Sequence, residues 1–223
     1  MRGKRRMGRP SQTEAQQRIL SAAKERLWQY GFKKTTIDEI AADAGVGKGT
    51  VYLYFESKED IAIHIIVQSK TAAVEHMEQI SRDPLLGLKD RLKRVLVYSP
   101  LSAFDVMRRC PAALELILAI KPHIRERTHP LTVKELQLIA NILEEGIESG
   151  EFIEVDPVST ARTLKLMMGG FYPPYPCVSE RNEIEDEICR IIDLAMNGIS
   201  RTRQEVFGRP RNDNTDKTFA SAL

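Results

Sequence analysis

The segment 36–55 constrains the fold of this chain more than any other, because its apolar spacing fits two short helices joined by a tight turn. Counting Ile37 as position one, apolar residues occupy positions four, five, eight, ten and fifteen, and Gly45 occupies position nine. The small Ala41 lets two helices approach closely, and Gly45 adopts the left-handed turn conformation without the penalty that a Cβ carries. The pattern predicts a helix-turn-helix.

Helical periodicity recurs through the rest of the chain, and no long segment alternates apolar and polar residues as a strand does. Thr36 and Glu39 have the spacing of a capping box, and Asp156-Pro157 supplies the cap and the proline that open another helix. The predicted helices span about 13–30, 36–44, 48–54, 57–80, 85–98, 101–109, 111–127, 130–149, 157–171 and 183–205. We therefore predict an all-α protein in which an N-terminal three-helix helix-turn-helix head precedes a helical body.

Basic charge is concentrated at the start of the chain, although the formal net charge of the whole chain is only +2. The first 12 residues contain five basic residues and no acidic residue. Such a segment buries too little apolar surface to fold alone, and a polyanion attracts it. We predict a disordered basic arm over 1–12 and a disordered tail over the polar, unpatterned residues 208–223.

Composition and spacing argue against several other classes of protein. The three cysteines lack a C-x-x-C pair, and neither a signal-peptide core nor an apolar run of about 20 residues is present, so we predict a cytoplasmic protein with no membrane partner. Lys48 is followed by Gly49 rather than by serine or threonine, which excludes a phosphate-binding P-loop. His123, Glu126 and His129 are spaced like metal ligands, but their charged surroundings are typical of a solvated face. We predict no enzymatic activity, no cofactor and no metal site.

The predicted third helix carries small, hydroxylated and cationic side chains that suit a DNA groove. Lys48 is long enough to reach base edges or phosphates, and Gly49 permits close approach. Tyr54 is compatible either with a backbone contact or with a place in the core. Lys58 adds an ammonium to the free N–H groups at a helix start, where an anion is favoured. The candidate DNA-binding residues are Arg9, Thr36, Lys48, Gly49, Thr50, Tyr52, Tyr54 and Lys58.

Residues 18–60 resemble the DNA-binding head of the TetR family of bacterial one-component repressors. The residues that carry the resemblance are Ile19-Leu20, Ala22-Ala23, Gly31-Phe32, Thr35-Thr36, Ile40-Ala41, Ala44-Gly45-Val46, Lys48-Gly49-Thr50-Val51-Tyr52, Tyr54-Phe55 and Ser57-Lys58-Glu59. The chain departs from the pattern at Gly47, where the family often has a hydroxylated residue. That glycine removes a side-chain cap and one phosphate contact.

The resemblance implies a homodimer whose two heads read a palindromic double-stranded DNA operator. It also implies a small-molecule effector that binds in the body, shifts the helix over 57–80 and releases the operator, as in a repressor. The implied domains are a helix-turn-helix domain over 13–56 and an effector-binding and dimerisation domain over 57–207. The basic arm, Arg5, Arg6 and Arg9 especially, would enter an A·T-rich minor groove beside each half-site, and a charged solubilising tail is the alternative interpretation of the same residues.

The body carries no signature of its own, so its candidate residues follow from side-chain chemistry and from the family layout. Apolar and soft residues on the middle helices indicate a lipophilic effector, although a plain core would have the same composition. The candidate ligand-binding residues are Tyr98, Phe104, Met107, Cys110, Leu118, Leu143, Met167, Met168 and Phe171.

In the family the last two helices form the dimer interface, and an apolar stripe on the final helix fits that role. Packing within the chain's own core is the alternative for the same stripe. Its members are Ile184, Ile188, Ile191, Ala195 and Ile199.

Two further questions stay open from the sequence. The proline-rich segment 171–177 is compatible with a pocket wall, a dimer brace or a simple turn. A DNA-binding interaction protein without effector control is the alternative to an inducible regulator, and a cavity of a few hundred Å³ would favour the regulator.

Overall fold

The computed structural model describes residues 12–109, 113–172 and 180–199, and every regular element in these ranges is helical, which confirms the predicted all-α class. The helices are α1 (Gln12–Tyr30), α2 (Ile37–Ala44), α3 (Lys48–Tyr52), α4 (Lys58–Ser81), α5 (Leu88–Arg109), α6 (Ala113–Glu148), α7 (Pro157–Met167) and α8 (Arg181–Ile199), with a short 3-10 helix at Met168–Phe171. None of these described helices is long and apolar enough to cross a membrane. The predicted arm up to residue 11, the residues 173–177 and the predicted tail lie outside the described residues.

Local sequence signals set several helix ends at the predicted positions. Thr36 Oγ1 accepts the Glu39 N–H at 3.3 Å, and the Glu39 carboxylate accepts the Thr36 N–H at 2.9 Å, which completes the capping box. Accepting that backbone N–H, together with the Thr36 hydroxyl, lowers the pKa of Glu39 below its ordinary value. Asp156 likewise accepts the two N–H groups that follow Pro157 at the start of α7.

Pro100 and Pro130 lie inside continuous helices, which corrects the breaks predicted at these two prolines. The pattern predicted that one helix ends and another begins near Pro100, and again near Pro130. In the structure α5 and α6 each continue through the proline as a single helix. A proline removes one backbone hydrogen bond and crowds the preceding turn. In α5 this cost is offset because Leu96 and Leu101, which flank Pro100, are both buried in the same apolar cluster.

Two apolar clusters form the interior of the described chain. The head cluster comprises Ile19, Leu20, Ala23, Leu27, Phe32, Ile40, Ala41, Ala44, Val51, Phe55, Ile61, Ala62, Ile63, Ile65, Leu116 and Ile120. The body cluster comprises Val74, Met77, Leu88, Leu92, Val95, Leu96, Val97, Leu101, Phe104, Leu138, Ile139, Ala140, Ile142, Leu143, Phe152, Ala161, Leu164, Met168, Phe171, Ile184, Ile188, Ile192 and Met196.

Two long helices belong to both clusters. The first half of α4 and the first part of α6 pack in the head cluster, and the later parts of both helices pack in the body cluster. The head cluster therefore continues past residue 56 into the segment that the sequence assigned to the body.

The apolar stripe on α8 faces inward for half of its length. Ile184 and Ile188 are fully buried in the body cluster, so they have no surface to give to a partner chain, and their assignment to a dimer interface is corrected to core packing. Ile191 and Ala195 are half-buried at the edge of the same cluster. The side chain of Ile199 lies outside the described ones.

At Gly146 the segment that follows α6 packs closely against the helix, and the Phe152 N–H donates to the Gly146 carbonyl at 2.9 Å. A Cβ built on Gly146 would lie 2.0 Å from the ring of Phe152, which is itself buried. We expect Gly146→Ala to lower the free energy of unfolding by about 1–3 kcal/mol, because overpacking forces the ring or the backbone to move. Urea denaturation checks this result.

Gly87→Ala is the matched control for that substitution, because nothing lies within 4 Å of a Cβ at the exposed Gly87. Its effect is expected to stay within about 0.5 kcal/mol. Equal stability of the Gly146 variant and the wild type would contradict this account of the packing.

Candidate nucleic-acid interface

The turn between α2 and α3 holds the two helices in a fixed relation. Gly45 has φ +63°, the left-handed conformation that the sequence predicted. The guanidinium of Arg18, on α1, donates to the backbone carbonyls of Ala44 and Gly45, and a Cβ at Gly45 would lie 2.6 Å from Arg18 Nη2. The backbone conformation therefore favours glycine here, and an added Cβ would also displace the flexible end of the Arg18 side chain.

One side of α3 anchors the helix and the other faces solvent. Val51 is fully buried in the head cluster, whereas Lys48, Gly49 and Tyr52 are exposed and Thr50 is half-buried. Nothing lies within 4 Å of a Cβ built on Gly49, so this part of the helix presents bare backbone surface. The N-cap residue Gly47 makes no side-chain cap hydrogen bond, as its lack of a side chain requires.

Lys48 is held by an acidic residue of the neighbouring helix. Its Nζ donates to Asp38 Oδ2 at 2.8 Å, and both side chains are more than half exposed. That hydrogen bond, with the charge of Asp38, raises the pKa of Lys48 above its ordinary value. A phosphate or base that used Lys48 would have to replace Asp38 as the acceptor.

Lys58, at the start of α4, links that helix to the loop between α1 and α2. Its Nζ donates to the carbonyls of Phe32 and Thr35 at 2.7 and 2.9 Å and lies 4.3 Å from the centre of the Phe32 ring. An ammonium has three N–H donors, so one donor remains for an anion after these two contacts. The exposed Thr36 beside this loop shares its hydroxyl with Glu39 in the capping box.

The two tyrosines of this region have different surroundings. The Tyr52 side chain is exposed, with 51% of the residue accessible, and Tyr54 packs half-buried against the head cluster. The structure thus brings Lys48, Gly49, Thr50 and Tyr52 together on α3. Arg9 lies outside the described residues.

The body contains a cleft of about 1510 Å³ between α4, α5 and α8. Trp28 of α1 forms part of its wall, and Ile80, Val97 and Leu101 give it apolar surface. Charged side chains of both signs, such as Lys93 and Asp105, lie around it. The cleft therefore contacts both the head and the body.

Of the predicted ligand-binding residues, Tyr98 lines this cleft, where its ring centre lies 4.4 Å from that of His76 with the two rings tilted. Phe104, Leu143, Met168 and Phe171 are instead buried in the body cluster and are not among the residues that line the cleft. An apolar composition did not distinguish core from cavity wall.

Other predicted ligand residues lie elsewhere. Met167 is exposed on α7 and does not line the cleft. Cys110 and the side chains of Met107 and Leu118 lie outside the described ones.

Sequence reasoning missed three residues of these sites. Arg18 of α1 contacts the carbonyl of Ala44, and Asp38 of α2 contacts Lys48 of α3. Both contacts join different helices, so no local sequence pattern predicts them. Trp28 is the only tryptophan in the sequence, and its rarity was the one signal available for its place in the cleft wall.

A solvent-facing helix fixed against a second helix by a glycine turn is the arrangement of a helix-turn-helix DNA-binding domain. Residues 19–65 match the family model described as bacterial regulatory proteins, tetR family. The fatty acid metabolism regulator protein of Bacillus subtilis (strain 168) is 32% identical over 147 residues, which cover 66% of this chain and 75% of that protein. The transcriptional repressor BepR of Brucella suis biovar 1 is 29% identical over 172 residues, which cover 71% and 78%.

Solved structures share the fold. A transcriptional regulator from Cytophaga hutchinsonii has a TM-score of 0.68 at 23% identity and covers 82% of this chain and 96% of its own. FadR from Bacillus subtilis, in complex with stearoyl-CoA, has a TM-score of 0.53 at 22% identity, with coverages of 79% and 96%. The present chain belongs to the TetR family, and it is a DNA-binding transcriptional regulator rather than an enzyme.

We expect Tyr52→Phe to weaken DNA binding by about tenfold on all sequences, because a hydroxyl that contacts a phosphate carries no sequence information. Fluorescence anisotropy with several duplexes measures this loss. Tyr30→Phe is the matched control, since Tyr30 is equally exposed but lies on α1. A change of sequence preference with little general loss would contradict the phosphate contact.

For Lys58→Ala we expect a fall of about 1–3 kcal/mol in the free energy of unfolding, because two carbonyls lose a charged donor. Thermal and urea unfolding measure it. Lys34→Ala is the control, at an exposed site in the loop between α1 and α2 that contains Phe32 and Thr35. Its free energy of unfolding should stay within about 0.5 kcal/mol of the wild-type value. A Lys58 variant with wild-type stability and reduced DNA affinity would contradict this expectation, because it would show that the ammonium contacts phosphate and does not stabilise the loop.

Proposed function

We propose that this regulator is a dimeric repressor that binds a palindromic operator through two copies of α3 and is released by a small lipophilic molecule. The observation that carries the proposal is the exposed surface of α3, which is fixed by the Gly45 turn and by the buried Val51. BepR, a relative of 29% identity, is named a transcriptional repressor, which supports repression here. Minor-groove contact by Arg9 remains part of the proposal.

Exposed apolar residues on α7 and α8 support the dimer. Leu166 and Leu194 are 72% and 73% accessible, and Met167 is also exposed. Ile191 and Ala195 continue the apolar surface at half-buried positions of α8. Large apolar side chains grouped on two neighbouring helices are typical of a surface that a partner covers.

The cleft supports control by an effector. Because its wall combines Trp28 of the head with residues of α4, α5 and α8, a molecule bound there would contact both parts of the chain. A ligand changes DNA affinity only through its different affinity for the two states, typically 1–3 kcal/mol per site. A cleft of this size favours the inducible regulator over a DNA-binding interaction protein without effector control.

The comparisons support a lipophilic effector. The Bacillus subtilis relative is named a fatty acid metabolism regulator protein, and the solved structure of FadR from Bacillus subtilis is a complex with stearoyl-CoA. Apolar surface from Ile80, Val97 and Leu101 gives the present cleft a place for an aliphatic chain.

Selection from random duplexes with the purified protein, repeated at several salt concentrations, tests the operator. A two-fold symmetric enriched site and a steep salt dependence are expected, because each half-site adds phosphate contacts. Weak association without enrichment would contradict the proposal.

Leu194→Glu should shift the protein toward monomer and weaken operator binding, because it places a charge in the proposed interface. Sedimentation velocity over a concentration series measures the shift. Leu85→Glu is the control, since Leu85 is 91% accessible and belongs to the connection between α4 and α5 rather than to α7 or α8. Wild-type association of the Leu194 variant would argue against this face.

A further inference from the structure

A group of polar side chains lies inside the helical body, away from the DNA-binding surface. We call this group the polar joint; it comprises Lys70 of α4, Ser99 of α5, Thr132 and Glu135 of α6, Lys165 of α7, and Tyr172. None of these residues lines the cleft described above. Glu135 is only 1% accessible, so the joint contains a carboxylate that is withdrawn from water.

The contacts of the joint converge on that carboxylate. Glu135 Oε2 lies 2.7 Å from Lys165 Nζ and 3.8 Å from Lys70 Nζ, while Ser99 donates to Oε1 at 3.4 Å. Tyr172 donates to Ser99 Oγ at 2.7 Å and accepts from Lys165 Nζ at 3.0 Å. Four helices and the residue after the 3-10 helix are thus tied to one buried group.

The charges of the joint do not balance, because two ammonium groups face one carboxylate. The hydroxyls of Ser99, Thr132 and Tyr172 already donate to Glu135 Oε1, to the Thr128 carbonyl and to Ser99 Oγ. Lys165 contacts the Glu135 carboxylate at 2.7 Å, whereas the hydrogen bond of Lys70 at 2.7 Å is to the neutral Thr132 Oγ1. Burial lowers the pKa of Lys70 despite the attraction of Glu135, and the charge of Lys165 lowers it further. Lys70 Nζ is 3.8 Å from the nearest Glu135 oxygen, and an ammonium without a carboxylate at hydrogen-bond distance is a group that an oxyanion complements.

The joint also lies where the two apolar clusters meet. Lys70 separates the part of α4 that packs in the head cluster from the part that packs in the body cluster. On α6, Thr132 and Glu135 stand between Ile120 of the head cluster and Leu138 of the body cluster. The side chains of Lys70 and Lys165 keep 26% and 19% of their accessible surface, so the edge of the joint is reachable from solvent.

We propose that the polar joint is a binding site for an organic oxyanion, a carboxylate or a phosphate monoester, held between Lys70 and Lys165. The oxyanion competes with Glu135 for both ammonium groups. Binding therefore loosens the link that α6 makes to α4 and α7. The consequence for DNA rests on the proposed function, whereas the binding site itself does not.

Isothermal titration calorimetry of the full chain with hexanoate, hexyl phosphate and hexanol tests the site. The three probes share one aliphatic chain and differ in the head group, so a neutral alcohol reports any binding through the chain alone. We expect the better anion to bind at least about tenfold more tightly than hexanol, the difference typical of a charge-assisted contact. Whichever anion binds more tightly identifies the head group. Equal binding of all three probes would overturn the proposal.

Variants locate the site. Lys70→Met and Lys165→Met should each reduce anion affinity by about tenfold or more, while Glu135→Gln should increase it by removing the competing carboxylate. Lys134→Met is the matched control, because Lys134 is a more exposed lysine on α6 that pairs with Glu78 at 2.7 Å. A purely structural joint would show no gain for Glu135→Gln. Loss of affinity in the control alone, or none in the lysine variants, would contradict the assignment.

Lys165→Met leaves a buried carboxylate without its main partner and is checked for folding by circular dichroism. Lys70→Met and Glu135→Gln decide the question if that variant unfolds, because neither removes the contact between Lys165 and Tyr172. DNA affinity is measured separately with the same anions. Anion binding that the lysine variants abolish but that leaves DNA affinity unchanged would support the site and contradict release by this route.

Discussion

The packing of α6 against the head is the contact on which the rest of the structure depends. Leu116 and Ile120 of α6, together with Ile61 and Ile65 of α4, are buried in the same cluster as the helices of the DNA-binding surface. Full burial of one such side chain contributes about 1.5–3 kcal/mol. A unit limited to residues 13–56 would lack these four side chains and would be too small to build an ample core of its own. The head is therefore completed by the body.

This shared cluster gives a physical route between an effector and DNA. Both α4 and α6 run from the head cluster to the body cluster, and the polar joint lies between the two along each helix. Packed apolar clusters resist continuous deformation, whereas a layer of ion pairs and hydroxyls has alternative partners. Movement between the two clusters is thus expected to concentrate at the joint, and α3 would follow because Val51 fixes it to the head cluster.

The parts of the fold that the sequence predicted are those set by local chemistry. Gly45, the Thr36 capping box and the Asp156-Pro157 helix start all act through backbone groups a few residues away. The predictions that were wrong depended on tertiary packing. Burial of side chains on both sides of Pro100 stabilises α5 as one continuous helix, and periodicity alone did not show which side of α8 faces the core. In the candidate site, the exposed residues of α3 were predictable, while the pairing of Lys48 with Asp38 depended on the angle between two helices.

The most direct test of a head completed by the body is equilibrium unfolding in urea followed by two probes. Fluorescence of Trp28, the only tryptophan, reports the head against which it packs, and far-ultraviolet circular dichroism reports the helices of the whole chain. Coincident transitions are the signature of one cooperative unit. We predict that the two curves coincide at each protein concentration. A tryptophan transition at clearly lower urea than the loss of helix would contradict the account, because the head would then unfold independently of the body.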